Sequence, residues 1–222
     1  MQSPTQIPSS ETQFPIAQEG FLFIGIGASL LLYGAAEWGW IGVLLFGIPT
    51  LFCIYFFRDP RRKVPQLEGR VLSPADGVVV NVAQVEEGRF LKKPAIQISI
   101  FLNVFNVHVN RIPVTGKIIG IFYQKGQFLP AYLPKASLDN EHNALLIETA
   151  SGKRVVCTQI AGLIARRIVC RAKEGMEMHQ GQRYGIIKFG SRVDLFLPIE
   201  THIKVSKGSK VVGGETILGE LK

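Results

Sequence analysis

Two long apolar runs near the N-terminus restrict the structures that this part of the chain can adopt. They cover residues 20–36 and 40–57, and Glu37, Trp38 and Gly39 separate them. As a helix, each run would be roughly 26 Å long, which is close to the thickness of a bilayer core. Neither run contains a charged residue, and aromatic residues lie at their ends, where a membrane interface favours them. The pattern predicts a transmembrane helical hairpin over residues 19–57, with a buried hairpin of a soluble protein as the alternative.

The flanking charges predict how this hairpin is oriented. Residues 1–57 contain no Lys or Arg, whereas Arg58, Arg61, Arg62 and Lys63 follow the second run directly. The positive-inside rule therefore places residues 58–222 on the cytoplasmic face of the cell membrane. Because two spans return the chain to its starting side, we expect residues 1–18 to form a flexible cytoplasmic tail. This tail has no basic segment of the kind that begins a signal peptide.

The charge of the remaining chain favours an anionic partner. Residues 58–222 hold all 25 basic residues against 14 acidic ones, for a net charge of +11. Such a surface attracts nucleic acid or the anionic inner leaflet of a membrane. The apolar hairpin and the lack of interleaved aromatic and basic residues argue against nucleic acid. Cys53, Cys157 and Cys170 fit no zinc or redox spacing, which suits a reducing compartment.

After residue 69 the sequence changes to short β-rich segments bounded by Gly, Pro, Asn or Asp. No long amphipathic helical pattern follows residue 58. The pattern predicts a mainly β domain over residues 58–222, folded as a sandwich or a partly closed barrel. Residues 161–170 are ambiguous, and their β-branched content favours a strand. The predicted strands are 78–85, 95–104, 144–149, 154–160, 184–189, 193–198 and 209–218.

Residues 69–82 and 203–221 both combine valine-rich stretches with glycine-containing turns. This combination is similar to the half-barrels of lipoyl- and biotinyl-carrier domains and predicts a barrel-sandwich-like element. This similarity supports a second hypothesis, in which the chain is a membrane-anchored adaptor or carrier without catalytic activity. Lys207 and Lys210 would then be the candidates for cofactor attachment.

The dipeptide Gly190-Ser191 interrupts an apolar β-rich segment, where a turn is not expected. Gly208-Ser209, by contrast, lies in a lysine-flanked turn and needs no special explanation. A glycine carbonyl offers little steric hindrance to attack by the next serine hydroxyl, provided that a base activates that hydroxyl. The combination suits self-cleavage by an N-to-O acyl shift and β-elimination, which would convert Ser191 to a pyruvoyl group.

Two further residues are candidates for acid–base work. In a strand, where successive side chains alternate between faces, His108 would share one face with Asn106 and Asn110. It is a candidate acid or base, or a structural histidine. Asp76 lies in Ser-Pro-Ala-Asp-Gly, a turn signature, and could also orient a histidine.

Other polar residues leave more alternatives open. Arg166 and Arg167 interrupt an apolar segment, so they either recognise a phosphate or carboxylate or protect a strand edge. His142, His179 and His202 lack the spacing of metal ligands, and we therefore predict no metal site.

Five segments in order resemble the short bacterial and archaeal form of the phosphatidylserine decarboxylase family, from about residue 56 to the C-terminus. The segments are FFRDPRRKVP (56–65), LSPADGVV (72–79), FNVHVNRIPVTG (105–116), QIAGLIARRIV (159–169) and FGSRVDLFLP (189–198).

The resemblance implies a proenzyme that cleaves itself between Gly190 and Ser191. The products would be a β chain of residues 1–190 and an α chain of residues 191–222, which stay together as a heterodimer; a higher oligomer is left open. The cofactor would be a covalent pyruvoyl group derived from Ser191, and Asp76 and His108 match the processing residues of the family. Longer relatives carry a second histidine where this chain has Arg111, so His108 would act alone or with His142 or His179.

The resemblance further implies that the substrate is an anionic phospholipid. Phosphatidylserine would be converted to phosphatidylethanolamine and CO2 through a Schiff base to the pyruvoyl group, and archaetidylserine is the alternative substrate. Residues expected to meet the lipid phosphate or the serine carboxylate are Arg166, Arg167, Arg192 and Asn110.

Overall fold

The computed structural model describes residues 14–65, 68–126, 140–162, 167–188 and 191–222. The chain divides into two compact units, Met1–Arg61 and Arg62–Lys222.

The first unit is a pair of apolar helices. A short 3-10 helix, Gln18–Gly20, leads into α1, Phe21–Trp38, and α2 follows as Trp40–Phe56. Gly39 joins them with a φ of 55°, a left-handed conformation that favours glycine. The segment Gln18–Trp38, with 21 residues and a mean hydropathy of 1.6, is long and apolar enough to cross a membrane, and α2 is shorter. The two helices lie where the sequence predicted them, whereas their insertion into a bilayer stays a prediction.

The second unit is built from strands, which confirms the prediction of a mainly β domain. Its longest strands alternate apolar and polar residues or are apolar throughout, as expected for strands with one or both faces covered. The strands are β1 Arg70–Leu72, β2 Gly77–Glu87, β3 Lys93–Leu102, β4 Val109–Arg111, β5 Gly116–Gln124, β6 His142–Glu148, β7 Arg154–Ala161, β8 Ile168–Cys170, β9 Glu177–Met178, β10 Arg183–Ile187, β11 Ser191–Pro198, β12 His202–Ile203, β13 Lys210–Val211 and β14 Ile217–Glu220.

Eight of these strands form one antiparallel sheet in the order β13-β2-β3-β11-β7-β6-β5-β9. The other described strands form two three-stranded antiparallel sheets, β1-β14-β12 and β4-β10-β8. Strand β11 lies inside the large sheet, paired with β3 on one side and β7 on the other. Residues near its start are therefore held by two neighbouring strands.

The main hydrophobic core covers one face of the large sheet. Alternate residues of β3, β7 and β11 point into it, including Ile98, Ile100, Cys157, Val193 and Leu195. The opposite face carries a smaller apolar cluster around Ala144, Leu146 and Val156. Since successive side chains of a strand point to opposite faces, adjacent residues of β11 alternate between the main core and the opposite face of the large sheet.

Several local predictions need correction. The predicted strand over 95–104 ends at Leu102, and residues 103–106 form a turn closed by reciprocal hydrogen bonds between Asn103 and Asn106. Strand β5 was not predicted, because Gly120 divides its apolar residues at an irregularity in the pairing with β6. Residues 209–218 contain β13 and the start of β14, with a turn between them. Of the ambiguous segment 161–170, Ala161 ends β7 and Ile168–Cys170 form β8, while 163–166 lie outside the described residues.

Candidate active site

Ser191 is the first residue of β11 and is fully buried. Its Cα partners are Leu102 on β3 and Ala161 on β7, both of which belong to the main core, so its side chain lies on the core face. The Oγ atom has no hydrogen-bond partner among the residues that the structure describes. A buried hydroxyl without a partner costs free energy and needs an explanation. Gly190, the other half of the predicted cleavage site, lies outside the described residues.

His108 is fully buried and lies directly before β4. Its carbonyl accepts a 3.3 Å hydrogen bond from the amide of Ile187, the last residue of β10, so the histidine lies beside the chain that leads to Ser191. The ring Nδ1 is 2.9 Å from the carbonyl oxygen of Asn106. Because a carbonyl can only accept, Nδ1 carries the proton, and Nε2 is the basic nitrogen of the neutral ring.

This geometry corrects the expected environment of His108. The histidine was expected on a strand face shared with Asn106 and Asn110, but the turn at 103–106 ends the strand before it. The Asn106 carbonyl, rather than a carboxylate, receives the hydrogen bond from Nδ1.

Asp76 lies in the loop before β2, and its carboxylate receives hydrogen bonds from two sides. Arg62 Nη2 lies 3.0 and 2.9 Å from its two oxygens, and the amide of Gly213 donates to Oδ1 at 2.8 Å. The same loop lies beside β4, because the Pro74 carbonyl accepts from the amide of Arg111. Asp76 is thus fixed close to β4, and its predicted part in processing stays a prediction.

Three buried amide side chains form a hydrogen-bonded chain on the core side of the large sheet. Asn143 Nδ2 donates to Gln159 Oε1 at 3.2 Å, and Gln159 Nε2 donates to Asn110 Oδ1 at 2.8 Å. All three side chains are at most 2% exposed. Asn110 was predicted, but Gln159 and Asn143 were missed. The signal for both was a polar residue at a core-facing position of an otherwise apolar strand.

Two ionisable side chains next to this chain are held neutral. Cys157 Sγ and Tyr184 Oη are 3.3 Å apart, and both residues are fully buried. Burial raises the pKa of the Cys157 thiol to about 12 and also raises the pKa of the Tyr184 phenol well above its usual value. Burial likewise raises the pKa of Cys170. A thiol must ionise to act as a nucleophile, so Cys157 and Cys170 are not candidate nucleophiles at neutral pH.

The predicted arginines are separated from one another. Arg192 is buried and forms an ion pair with Asp194, with Nε 2.9 Å from Oδ1 and Nη2 2.9 Å from Oδ2. Alternation along β11 directs both side chains to the face opposite Ser191. Arg167 is exposed, and Arg166 lies outside the described residues.

The histidines considered as substitutes also lie elsewhere. His142 is paired with Ile160 and shares the face of Arg192, opposite Ser191. It borders a cavity of about 320 Å³ together with Thr158, Asp194 and Phe196. His179 and His202 are exposed, and Arg111, which stands at the place of a second histidine, is buried and donates to the Gly181 carbonyl. Within the described ranges, no three His, Cys, Asp or Glu residues cluster as metal ligands would.

Comparison with known proteins bears on this arrangement. The family model for phosphatidylserine decarboxylase matches residues 50–219. Proteins named phosphatidylserine decarboxylase proenzyme are similar along nearly the whole length. One from Nitrosomonas europaea is 50% identical over 92% of this chain and 94% of its own, and one from Rickettsia africae is 50% identical over 92% and 90%. One from Syntrophotalea carbinolica is 48% identical over 94% and 97%. The chain therefore belongs to the phosphatidylserine decarboxylase family.

Proposed function

We propose that this chain is a proenzyme that cleaves itself between Gly190 and Ser191 and then decarboxylates phosphatidylserine to phosphatidylethanolamine and CO2. The observation that carries the proposal is the Ser191 hydroxyl, which is fully buried at the start of an internal strand and has no hydrogen-bond partner among the described residues. A sequence that only needed a core residue there would have a stability advantage from Ala or Val. The relatives are named phosphatidylserine decarboxylase proenzymes, and these names support phosphatidylserine as the substrate and synthesis as a proenzyme.

Self-cleavage needs no external oxidant or reductant. Ser191 Oγ attacks the Gly190 carbonyl carbon, and the C–N bond breaks as the acyl group moves from nitrogen to oxygen. β-Elimination then releases the Gly190 carboxylate, and water replaces the Ser191 nitrogen, which leaves as ammonia. The overall change is one water gained and one ammonia lost, and residue 191 becomes a pyruvoyl group.

His108 supplies the base for the first step. A serine hydroxyl is a weak nucleophile until its proton is accepted. The hydrogen bond from Nδ1 to Asn106 fixes the tautomer, so that Nε2 is the nitrogen able to accept it. Both Nε2 and Ser191 Oγ are buried, which excludes competing water.

The site needs no separate pocket for a pyruvoyl cofactor, because this group is formed from Ser191 itself. When formed, its carbonyl supplies an electrophile for the substrate amine and an acceptor for the electron pair released as CO2 leaves. His108 is the group that would return a proton to the substrate carbon. Asn110, which accepts a hydrogen bond from Gln159, lies on the same side of the sheet as Ser191, whereas Arg192 is paired with Asp194 on the opposite face.

The membrane supplies the substrate and accounts for the first unit. The apolar hairpin anchors the enzyme, and the positive-inside rule favours the cytoplasmic leaflet for residues 62–222. A net charge of +11 after residue 57 attracts anionic lipid by about 1 kcal/mol for each Lys or Arg near the surface.

Substitution of Ser191 by Ala tests the proposal, with Ser209→Ala as the matched control. Ser209 belongs to the second Gly-Ser pair, where its hydroxyl accepts a hydrogen bond from Ser206 in an exposed turn. We expect wild type and Ser209→Ala to give fragments of residues 1–190 and 191–222 by mass spectrometry. The small fragment should react with hydroxylamine at its first residue. Ser191→Ala should stay intact and lack decarboxylase activity.

Two results would contradict the proposal: an active wild-type enzyme that consists of one uncleaved chain, or decarboxylation by Ser191→Ala. The carrier hypothesis predicts an intact chain in all three proteins.

A further inference from the structure

Glu141 is a buried carboxyl residue directly before β6, on the same face of the large sheet as Ser191. The amide of Ala161 donates to the Glu141 carbonyl at 2.9 Å, and Asn140 Nδ2 donates to the Ala161 carbonyl at 2.7 Å, so Glu141 lies opposite Ala161. Ala161 is in turn the Cα partner of Ser191. Because paired residues of neighbouring strands point to the same face, Glu141, Ala161 and Ser191 form one row across three strands.

This row brings a carboxyl group close to the residue that would carry the pyruvoyl group. Neighbouring strands are about 4.8 Å apart, which places the Cα atoms of Glu141 and Ser191 at about 10 Å from each other. Between them, Ala161 contributes only a methyl group. All three residues are at most 5% exposed. A ligand group that binds the Glu141 carboxylate above Ala161 would therefore lie next to residue 191.

Two neutral groups hydrogen-bond the Glu141 carboxyl group within the described part of the chain. The amide of Ile168, the first residue of β8, donates to Oε1 at 3.3 Å, and the Tyr123 phenol forms the second hydrogen bond. Neither donor carries a positive charge. A buried carboxylate has a large desolvation cost unless a cation binds to it. The environment of Glu141 therefore suits a site whose cation arrives with the substrate.

Tyr123 and Arg167 lie between this carboxyl group and the protein surface. The Tyr123 side chain is 60% exposed, and Arg167, directly before β8, is exposed as well. Desolvation, the charge of Glu141 and the hydrogen bond to it raise the pKa of Tyr123, whereas the nearby charge of Arg167 lowers it. A cation outside and an anion inside complement a serine phospholipid head group, in which an anionic phosphate precedes the ammonium.

We propose that Glu141 binds the ammonium group of phosphatidylserine and accepts a proton from it beside residue 191. This inference rests on the proposed function and adds the residue that prepares the substrate amine. An ammonium group has no lone pair, so it must lose a proton before it can attack a carbonyl carbon. A carboxylate both attracts the ammonium and accepts this proton.

The proton that Glu141 accepts is returned in the same step. After deprotonation, the amine nitrogen bonds to the carbonyl carbon at residue 191, and one of its remaining protons moves to the carbonyl oxygen. This oxygen leaves as water with the proton returned by Glu141. The step consumes one ammonium and one carbonyl group, releases one water and restores the carboxylate.

Glu141→Gln tests the inference, because it removes the charge and keeps an oxygen that can accept from Ile168 and Tyr123. Glu148→Gln is the matched control at the other end of β6, where the glutamate side chain is 35% exposed and pairs with Arg154. Cleaved, full-length enzyme in detergent micelles is offered either phosphatidylserine with cyanoborohydride or hydroxylamine alone. Capture at residue 191 is measured as a mass gain of the 191–222 fragment.

The two probes differ in charge at neutral pH, since phosphatidylserine presents an ammonium and hydroxylamine a neutral nitrogen. We expect the ratio of lipid capture to hydroxylamine capture to fall about 100-fold in Glu141→Gln, the size of a lost acid–base group. In Glu148→Gln the ratio should stay at the wild-type value. General damage to the site would slow both probes and leave the ratio unchanged.

A second measurement does not depend on the pyruvoyl group. In the uncleaved Ser191→Ala protein, Glu141→Gln should raise the urea midpoint, because it removes a buried charge that serves the substrate rather than the fold.

Three results would overturn the inference: an unchanged capture ratio, a lower urea midpoint, or a Glu141→Gln chain that does not cleave itself. The last result would assign the carboxyl group to processing instead. In each case, a wild-type 191–222 fragment that reacts with both probes would leave the proposed function standing. A wild-type chain without a reactive carbonyl at residue 191 would refute the proposed function itself.

Discussion

At the scale of single residues, alternation along β11 separates Ser191 from the charged side chain that follows it. Ser191 lies on the core face with Val193 and Leu195, whereas Arg192 and Asp194 pair on the other face beside Gln97. Both members of the pair are at most 4% exposed. A buried ion pair is costly to break, because the remaining charge keeps its desolvation penalty. Arg192 therefore has a structural task that is independent of any lipid.

Arg192→Met should lower the free energy of unfolding by about 3–5 kcal/mol, because Asp194 would stay buried without its partner. Arg192→Met/Asp194→Leu should recover most of this loss. Urea unfolding of the uncleaved Ser191→Ala protein would measure both, since that protein remains a single chain.

Arg154→Met is the control for the loss of an ion pair. Arg154 pairs with Glu148 at 2.9 Å, but its side chain is 52% exposed, so less than about 1 kcal/mol is expected. A small loss for Arg192→Met together with a raised KM for phosphatidylserine would instead support contact with the substrate.

The residues of the candidate site differ in how far sequence could predict them. Ser191 and Asp76 stand out through local patterns, a Gly-Ser pair inside an apolar segment and a Pro-Ala-Asp-Gly turn. Gln159 can be recognised as part of the site only from its hydrogen bonds with Asn110 and Asn143, which come from other strands. Pairing between strands distant in sequence is not encoded in local periodicity, so this set could not be assembled beforehand.

At the scale of elements, Gly77 shows why the turn before β2 ends in glycine. A Cβ at this position would lie 2.2 Å from the carbonyl oxygen of Phe101 on β3, a distance that no side chain can occupy. The close approach allows β2 to begin directly after Asp76, whose carboxylate meets Arg62 and Gly213. Sequence predicted the turn and the strand, but the reason for the glycine lies in the neighbouring strand.

Gly77→Ala should destabilise the protein by about 1–3 kcal/mol, because β2 must move away from β3. It should also slow self-cleavage if Asp76 takes part, since Asp76 moves with the strand. Thermal unfolding of the Ser191→Ala form and the cleavage rate of the active form measure the two effects.

Gly88→Ala is the matched control, because a Cβ at Gly88 meets nothing within 4 Å. Equal stability of the two alanine variants would show that β2 adapts to the added methyl group.

A local turn explains why the strand predicted over 95–104 was too long. The Asn103 and Asn106 side chains close a turn that competes with strand continuation, and apolar periodicity does not register this competition.

At the scale of the whole molecule, the proposed cleavage between residues 190 and 191 would divide the chain without dividing the fold. Residues 191–222 contribute β11 to the interior of the large sheet, where it pairs with β3 from Ser191 to Pro198 and with β7 from Ser191 to Phe196. The same segment contributes β13, at the edge of this sheet, and β12 and β14. Val193, Leu195 and Leu197 are fully buried. Dissociation would therefore expose the core and two rows of unpaired backbone groups.

We expect the cleaved fragments to remain associated until the domain unfolds. Native mass spectrometry in detergent should give the joined fragments, at about 24.5 kDa or a multiple of it, whereas a denaturing gel should separate the two chains. Because unfolding of the cleaved protein also releases a fragment, its urea midpoint should rise with protein concentration. The uncleaved Ser191→Ala protein, in which the same strands are covalently joined, should show no such dependence. Separation of the fragments without denaturant would mean that β11 is not held as the sheet pairing requires, and a mature enzyme built on this sheet could not persist.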